Sequence, residues 1–311
     1  MIWTMGEMIV EIMREKEDCP LDKADVFMGP YASGAPAIFI DTVAKMGGKG
    51  GIIGAVGNDD FGKCIVDKLK NDGADCSMVT ISDTYPTGSA FVMYYANGDR
   101  KFIFHIAGTA ATIPAAVTEM PAGAKFFHIM GCSLTAEEGF GNRIIETMEV
   151  FAEGGARITF DPNIRPELLK NPGCMSRIKR VLEKTDIFMP GKSELLMLTG
   201  CDSVEKAVEK CFQDFGMEMV VMKNGSKGSV IYTPDKQYTF GIFEVEAKDA
   251  TGAGDSFDGA FLAGLAEGRS LEEAALNATA AAALNTAAFG PMEGKISPEG
   301  VAQMISDRGK V

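Results

Sequence analysis

Short runs of β-forming residues alternate with helix-like stretches along most of this chain, and that alternation limits its folding options more than any other feature. Gly51–Val56 (GIIGAV) is a continuous apolar run that ends in a turn, and Phe61–Asp72 follows with apolar residues at Phe61, Ile65 and Leu69. Lys125–Met130, Arg157–Phe160, Asp186–Met189 and Met219–Met222 repeat the arrangement, each before a turn and a helix-like segment. Strands that alternate with helices form a mostly parallel sheet with helices on both faces. The expectation is an α/β fold in three layers, α/β/α, as a single domain over residues 1–311. No internal repeat is visible.

Two places depart from the alternation. Gly88–Tyr95 and Lys101–Ile106 are β-type runs around Ala96-Asn97-Gly98-Asp99-Arg100, and Asn-Gly between such runs predicts a hairpin because both residues tolerate positive φ. Met8–Met13 and Ala24–Met28 flank a polar loop in the same way. Together they predict a small β-sheet standing off the main one, from segments near residues 8–30 and 88–107. It could serve as a lid, as an edge decoration or as a dimerisation surface.

Composition narrows the partners. Thirty Lys and Arg against 43 Asp and Glu give a net charge of −13 over 311 residues, which disfavours nucleic acid. Anionic substrates must then be held by local cations or amides. Seven cysteines are scattered without a CxxC pair, which reads as reduced thiols in a cytoplasmic protein. The first 18 residues carry glutamates where a signal peptide needs a basic region. Ala274–Ala288 is alanine-rich and interrupted by Asn277, Thr279, Asn285 and Thr286, so it reads as a packed helix and no membrane partner is expected.

The chemistry concentrates in Asp249-Ala250-Thr251-Gly252-Ala253-Gly254-Asp255-Ser256-Phe257-Asp258-Gly259-Ala260-Phe261. Phe257, Phe261, Leu262 and Leu265 share one face of a helix, which predicts a helix starting near Asp255 with Gly252-Ala253-Gly254 as the turn into it. Small residues let a ligand approach the backbone, and the first N–H groups of a helix suit a phosphate. A carboxylate beside such a site can accept a proton from an attacking hydroxyl. It can equally be an N-cap, and the segment alone leaves both open.

The segment resembles the second signature of the PfkB (ribokinase-type) carbohydrate kinases, and the resemblance runs over nearly the whole chain. Gly6–Glu11 looks like the family's opening GE-strand, and Ser33-Gly34-Ala35-Pro36-Ala37 with Gly54–Gly62 resembles its first signature region. Asp161-Pro162-Asn163-Ile164-Arg165 matches a DPNxR segment and Lys223–Gly228 a KxGxxG nucleotide loop, and Pro190–Glu194 sits where the family has NxxE. The resemblance implies a ribokinase-like fold with a β lid, and an ATP- and Mg2+-dependent sugar kinase. It makes Gly252, Ala253 and Gly254 an anion hole and Asp255 the base. It gives Lys223, Gly225, Gly228, Gly254 and Asn277 to the nucleotide, and Glu11, Gly34, Ala35, His105 and Arg165 to the sugar. Glu194 would serve Mg2+, and Asp249 with Thr251 a K+-like ion. A homodimer through the lid is also implied.

Departures from the family shape the substrate expectation. Gly191 stands where NxxE has its asparagine, and Ile38 where ribose-type members have an asparagine. Arg165 could clamp a carboxylate, which would suit 2-keto-3-deoxygluconate, but Phe104–Ala107 offers no second cation. Gly29–Asp41 looks most like a tagatose-kinase-like branch. The expectation is therefore phosphorylation of a primary hydroxyl of a ketohexose such as tagatose or fructose. A 2-keto-3-deoxygluconate kinase and a silent sugar or nucleotide sensor stand as alternatives. Gly48–Gly54 has no strand before its glycines, and Gly191-Lys192-Ser193 lacks the first glycine of a P-loop. An oxidoreductase and a P-loop enzyme are thereby excluded.

Overall fold

All eight residues of Gly50–Gly57 are buried, as a central strand covered on both faces requires. The computed structural model that shows this describes residues 1–164, 169 and 173–309. In chain order the strands are β1 (Ile2–Met5), β2 (Ile9–Arg14), β3 (Phe27–Ser33), β4 (Gly50–Gly57), β5 (Asp75–Ser82), β6 (Gly88–Tyr94), β7 (Arg100–His105), β8 (Phe126–Met130), β9 (Arg157–Asp161), β10 (Ile187–Phe188), β11 (Met219–Lys223), β12 (Ser229–Tyr232) and β13 (Gln237–Phe240). The helices are α1 (Ala35–Lys45), α2 (Asp60–Asn71), α3 (Gly131–Ala136), α4 (Glu138–Glu153), α5 (Cys174–Leu182), α6 (Lys192–Thr199), α7 (Val204–Gln213), α8 (Ala253–Glu267), α9 (Leu271–Thr286) and α10 (Pro298–Arg308).

Nine strands form the main sheet in the order β13-β12-β11-β10-β9-β8-β1-β4-β5. It is parallel from β5 to β11, and β12 and β13 add an antiparallel edge. One core lies between the sheet and α1, α2, α8, α9 and α10, and a second packs α4, α5 and α7 on the other face. The three-layer α/β/α expectation holds. From β1 the chain proceeds to β4 and β5 on one side and later to β8 and β9 on the other. Ligands in such sheets bind beyond the strand C-termini at this switch point.

The second sheet has four strands in the order β3-β2-β6-β7, with β2 and β6 parallel and both outer pairs antiparallel. The Asn-Gly hairpin forms as expected, with Gly98 at φ 86°. The other pair differs from the expected runs, since β3 begins at Phe27 and continues to Ser33. The cause is Arg14. Its buried guanidinium donates to the carbonyls of Pro20, Lys23 and Asp25 and lies 3.8 Å over the Phe27 ring, which keeps the preceding segment in a loop. The opening strand also differs. β1 stops at Met5, Gly6-Glu7-Met8 crosses between the sheets, and β2 starts at Ile9.

Asp59 ties the two sheets together. It caps α2 by accepting from the Gly62 N–H, and it also accepts from the Thr87 N–H at 2.8 Å and the Thr87 hydroxyl at 2.6 Å. Phe61, expected on the buried stripe of α2, is 36% exposed, and Ile65, Val66 and Leu69 form that stripe. Among the described residues no helix is long and apolar enough to cross a membrane.

Candidate active site

α8 begins at Ala253, two residues earlier than its apolar face suggested, with Gly252 as N-cap at φ 77°. Asp255 therefore sits inside the first turn and is not the cap. The helix is buried from Asp255 to Gly264, and it lies between α1 and α9. An apolar stripe on one face underestimates such a helix, because small residues such as Gly259 and Ala260 fill its other faces. The first-turn amides, Gly254 among them, have no acceptor within the helix and remain suited to an anion.

Two cavities meet at this turn. The first, about 290 Å³, lies between the small sheet and the switch point of the large one. Glu7, Glu11, Gly34, Ala35, Asn163, Gly252, Gly254 and Asp255 line it. From β7 come Arg100, Phe102 and Phe104, followed by Ile106 just beyond the strand. The second, about 590 Å³, runs along Gly225, Ser226 and Gly228, the Gly241–Ala247 segment and one face of α9. Ala253, Gly254 and Lys223 line it as well.

Asp255 is 6% exposed yet faces the first cavity. Asn163 donates from Nδ2 to Asp255 Oδ1 at 2.9 Å, which directs the carboxylate. Glu11 accepts from the Ser33 hydroxyl at 2.7 Å. Glu7 accepts from the Ser133 hydroxyl and, at 3.2 Å, from the Cys132 thiol. A cavity lined by oriented carboxylates and aromatic faces suits a small polyol, whose hydroxyls donate and whose C–H faces pack on rings.

Two of the expected residues, His105 and Asn277, do not line these cavities. His105 is on the outer face of the small sheet, edge-on to Phe91, because residues alternate along β7 and Arg100, Phe102 and Phe104 take the inner face. Asn277 does not line the nucleotide-side cavity; Thr279, Ala282, Ala283 and Thr286, spaced by three and four, present that face of α9. Arg165 lies outside the described residues. His128 is fully buried against Phe39 and Thr159, and burial pushes its imidazole down to about 3, so it is neutral and structural.

The two expected ion positions differ in what they offer. Glu194 Oε1 accepts from the Ile164 N–H at 2.8 Å and Oε2 from the Gly191 N–H at 2.7 Å. Burial, with the nearby Asp161 charge, raises its carboxyl above the usual range. Among the described residues no three acidic, His or Cys side chains cluster to hold a metal. Asp249 accepts from the amides of Thr251 at 2.8 Å and Gly290 at 3.2 Å. The Thr251 hydroxyl receives Arg100 Nη1 at 2.8 Å, so this side chain is engaged with a guanidinium already.

Known proteins share this fold. The family model "pfkB family carbohydrate kinase" matches residues 3–297. The chain belongs to the pfkB family of carbohydrate kinases. It is thus a phosphotransferase with an alcohol group as acceptor, on a ribokinase-like fold. Fructokinase-2 of Solanum lycopersicum is 30% identical to this pfkB kinase, covering 88% of this chain and 84% of the relative. An E. coli protein provisionally named Ribokinase II, solved in complex with ATP and Mg2+, is 36% identical over 99% of both chains, with a TM-score of 0.91. A double mutant of the Vibrio cholerae O395 fructokinase, in fructose, ADP and potassium ion bound form, is 25% identical over 97% of both chains, with a TM-score of 0.84.

Sequence reasoning did not assign Glu7, Arg100, Asp161, Asn163 or Asp258 to the site. Four of these, all but Arg100, sit inside segments that carried the resemblance. The period of two along Arg100–Ile106 would have found Arg100 once the hairpin fixed which face turns inward.

Proposed function

We propose that this pfkB kinase transfers the γ-phosphate of ATP to a primary hydroxyl of a ketohexose, with fructose the lead substrate and tagatose next. The observation that carries the reading is the position of Asp255 in the first cavity, next to Gly254, which lines both cavities. Sugar between the two sheets and nucleotide along α9 would then meet at one point.

In that step Asp255 accepts the proton of the attacking hydroxyl, held at the right angle by Asn163. The sugar oxygen bonds the γ-phosphorus, the bond to the β-phosphate breaks, and its electron pair leaves with ADP. Glu194 offers Mg2+ only a carboxylate edge, which suits an ion that brings its own water and phosphate ligands. Mg2+ would neutralise charge on the phosphates. For a K+-like ion, Asp249 and the backbone near Thr251 and Gly290 remain the proposed place.

Five carboxylates line the sugar-side cavity, Glu7, Glu11, Asp161, Glu194 and Asp255, against the cations Arg100 and Lys223. That balance favours hydroxyl donors over a second acid, and the named fructokinases among the relatives support the same choice. The outer face of the small sheet, with Phe27 at 37% and Ile103 at 42% exposure, is the surface proposed for a homodimer. A cytoplasmic location accords with seven scattered cysteines that include no CxxC pair. ADP release measured over fructose, tagatose, ribose and 2-keto-3-deoxygluconate tests the substrate. Turnover of the acid sugar alone would sink the ketohexose reading, and no turnover of any sugar would sink the catalytic one.

A further inference from the structure

Lys223 stands where the two cavities meet. It ends β11, where its N–H donates to the Pro190 carbonyl and its backbone bridges to Gly191. Its side chain is 17% exposed and lines both cavities. Nζ donates to Asp161 Oδ2 and to Asp258 Oδ2, each at 2.7 Å. Asp161 ends β9 and Asp258 lies in the second turn of α8, so three elements converge to hold one ammonium in place.

A purely structural role explains this cluster poorly, because buried ion groups often stabilise no better than apolar side chains of similar volume. Its location supplies a reason. A Cβ built on Gly254 would lie 3.8 Å from Lys223 Nζ, and among the described residues no other atom beyond its own stretch of helix stands within 4 Å of it. The ammonium therefore faces the glycine turn with no side chain between them.

The charge state fits the same reading. Burial raises the Asp258 carboxyl far above the usual carboxylate range. Burial also works against ionisation of Asp161, but the Lys223 charge together with hydrogen bonds from Asp258 and Lys223 outweighs it and holds that carboxyl low. These opposite directions leave the ammonium a weaker counter-charge than two ordinary carboxylates would supply.

We infer that Lys223 is a catalytic residue whose ammonium meets the phosphoryl group in transit between the cavities, and that Asp161 and Asp258 are positioning residues for it. This rests on the kinase reading of the same site. As the oxygen–phosphorus bond to the sugar forms and the bond to ADP breaks, charge on the phosphoryl oxygens passes a cation already in place. No reorganisation is needed at that moment. Asp255 takes the alcohol proton, and Lys223 keeps all of its own.

The test is calorimetry of Lys223→Gln with a non-hydrolysable ATP analogue and with ADP, both with Mg2+, beside steady-state kinetics. Contact with the transferred group predicts a loss of about tenfold or more for the triphosphate and less than about threefold for ADP. Turnover should fall by about a hundredfold or more with the sugar KM little changed, and Lys223→Arg should recover part of it. Should Lys223→Gln fail to fold, the double variant Lys223→Gln/Asp258→Asn removes ammonium and carboxyl together for the same comparison. Equal losses for the two nucleotides, or unaltered turnover in a folded variant, would overturn the assignment. The nucleotide arm needs no sugar, so a wild-type chain inactive on every sugar tried would sink the catalytic reading while this comparison still decides on the lysine.

Discussion

Asn163 reaches from the loop after β9 to Asp255 in the first turn of α8 and donates to its Oδ1 at 2.9 Å. This single bond joins two segments 92 residues apart, and Asn163 itself adopts φ 39° to make it. A left-handed asparagine is tolerated better than most residues, because its short polar side chain can bond locally. The loop geometry is thus spent on aiming one carboxylate into the sugar-side cavity.

Removing the base should abolish chemistry and spare binding. Asp255→Asn keeps size and polarity but cannot accept the proton, so turnover should fall by roughly 10²–10⁴. Affinity for ATP, measured by calorimetry, should stay nearly unaltered. Asn163→Ala should lower turnover by about tenfold to a hundredfold through misplacement of the same carboxylate. Full activity in Asp255→Asn would remove it from the mechanism.

The two faces of the small sheet should respond differently. Arg100 points into the cavity and donates to Thr251, so it links the sheet to the turn before α8. Arg100→Met should reduce kcat/KM for the sugar by about tenfold or more, as expected for loss of a charged hydrogen bond. His105→Ala, on the outer face beside Phe91, should leave kcat/KM within about twofold. A large effect at His105 with none at Arg100 would mean that the register of β7 has been misread.

A buried acid on α1 gives the fold a pH signature. Burial raises the Asp41 carboxyl to about 7, with the Asp72 charge adding to the effect and Lys45, 2.7 Å away, opposing it. In the unfolded chain the same group ionises near its ordinary value of 3.8. Between those values the folded state holds the extra proton, so stability falls as pH rises through the window and is fully present below it. Asp41→Asn should remove that slope, at most roughly 1.4 kcal/mol per pH unit. Melting curves of the two proteins from pH 4.5 to pH 8 check this. Curves that stay parallel would show that Asp41 does not titrate there.

Much of this architecture was legible because local pattern and burial agree. The apolar runs at Gly51–Val56 and Lys125–Met130 became β4 and β8, since strands buried on both faces need no alternation to be recognised. β1 escaped because Ile2–Met5 is only four residues long and just Gly6-Glu7 separates it from the next apolar run. In the site, the glycine turn and Asp255 stood out through residue type and spacing. Lys223 with Asp161 and Asp258 did not, because their partnership spans 62 and 35 residues and depends on the order of strands in the sheet. His105 was misplaced for a related reason. A strand presents alternate residues to opposite faces, and only pairing with β6 decides which set faces the ligand.

The two glycines of the turn should fail in different ways when each is changed to alanine. Gly252 has φ 77°, and a Cβ there would approach the Pro291 carbonyl oxygen to 2.9 Å and Ile38 Cγ2 to 3.0 Å. Strain in the left-handed region alone costs about 1–2 kcal/mol, so Gly252→Ala should lower the melting temperature measurably. Gly254 is helical, and beyond its own stretch of helix its added methyl would meet Lys223 Nζ, at 3.8 Å. Alanine is also the better helix former by about 1 kcal/mol, so Gly254→Ala should be as stable as the wild type or more so. The same methyl would stand between the first-turn amides and the Lys223 ammonium, where a phosphate must come close to both. Turnover should therefore drop steeply in a protein that melts no lower. Thermal denaturation and ADP release on the same preparations separate the two cases. An active Gly254→Ala enzyme would mean that phosphate never enters the space between residue 254 and Lys223.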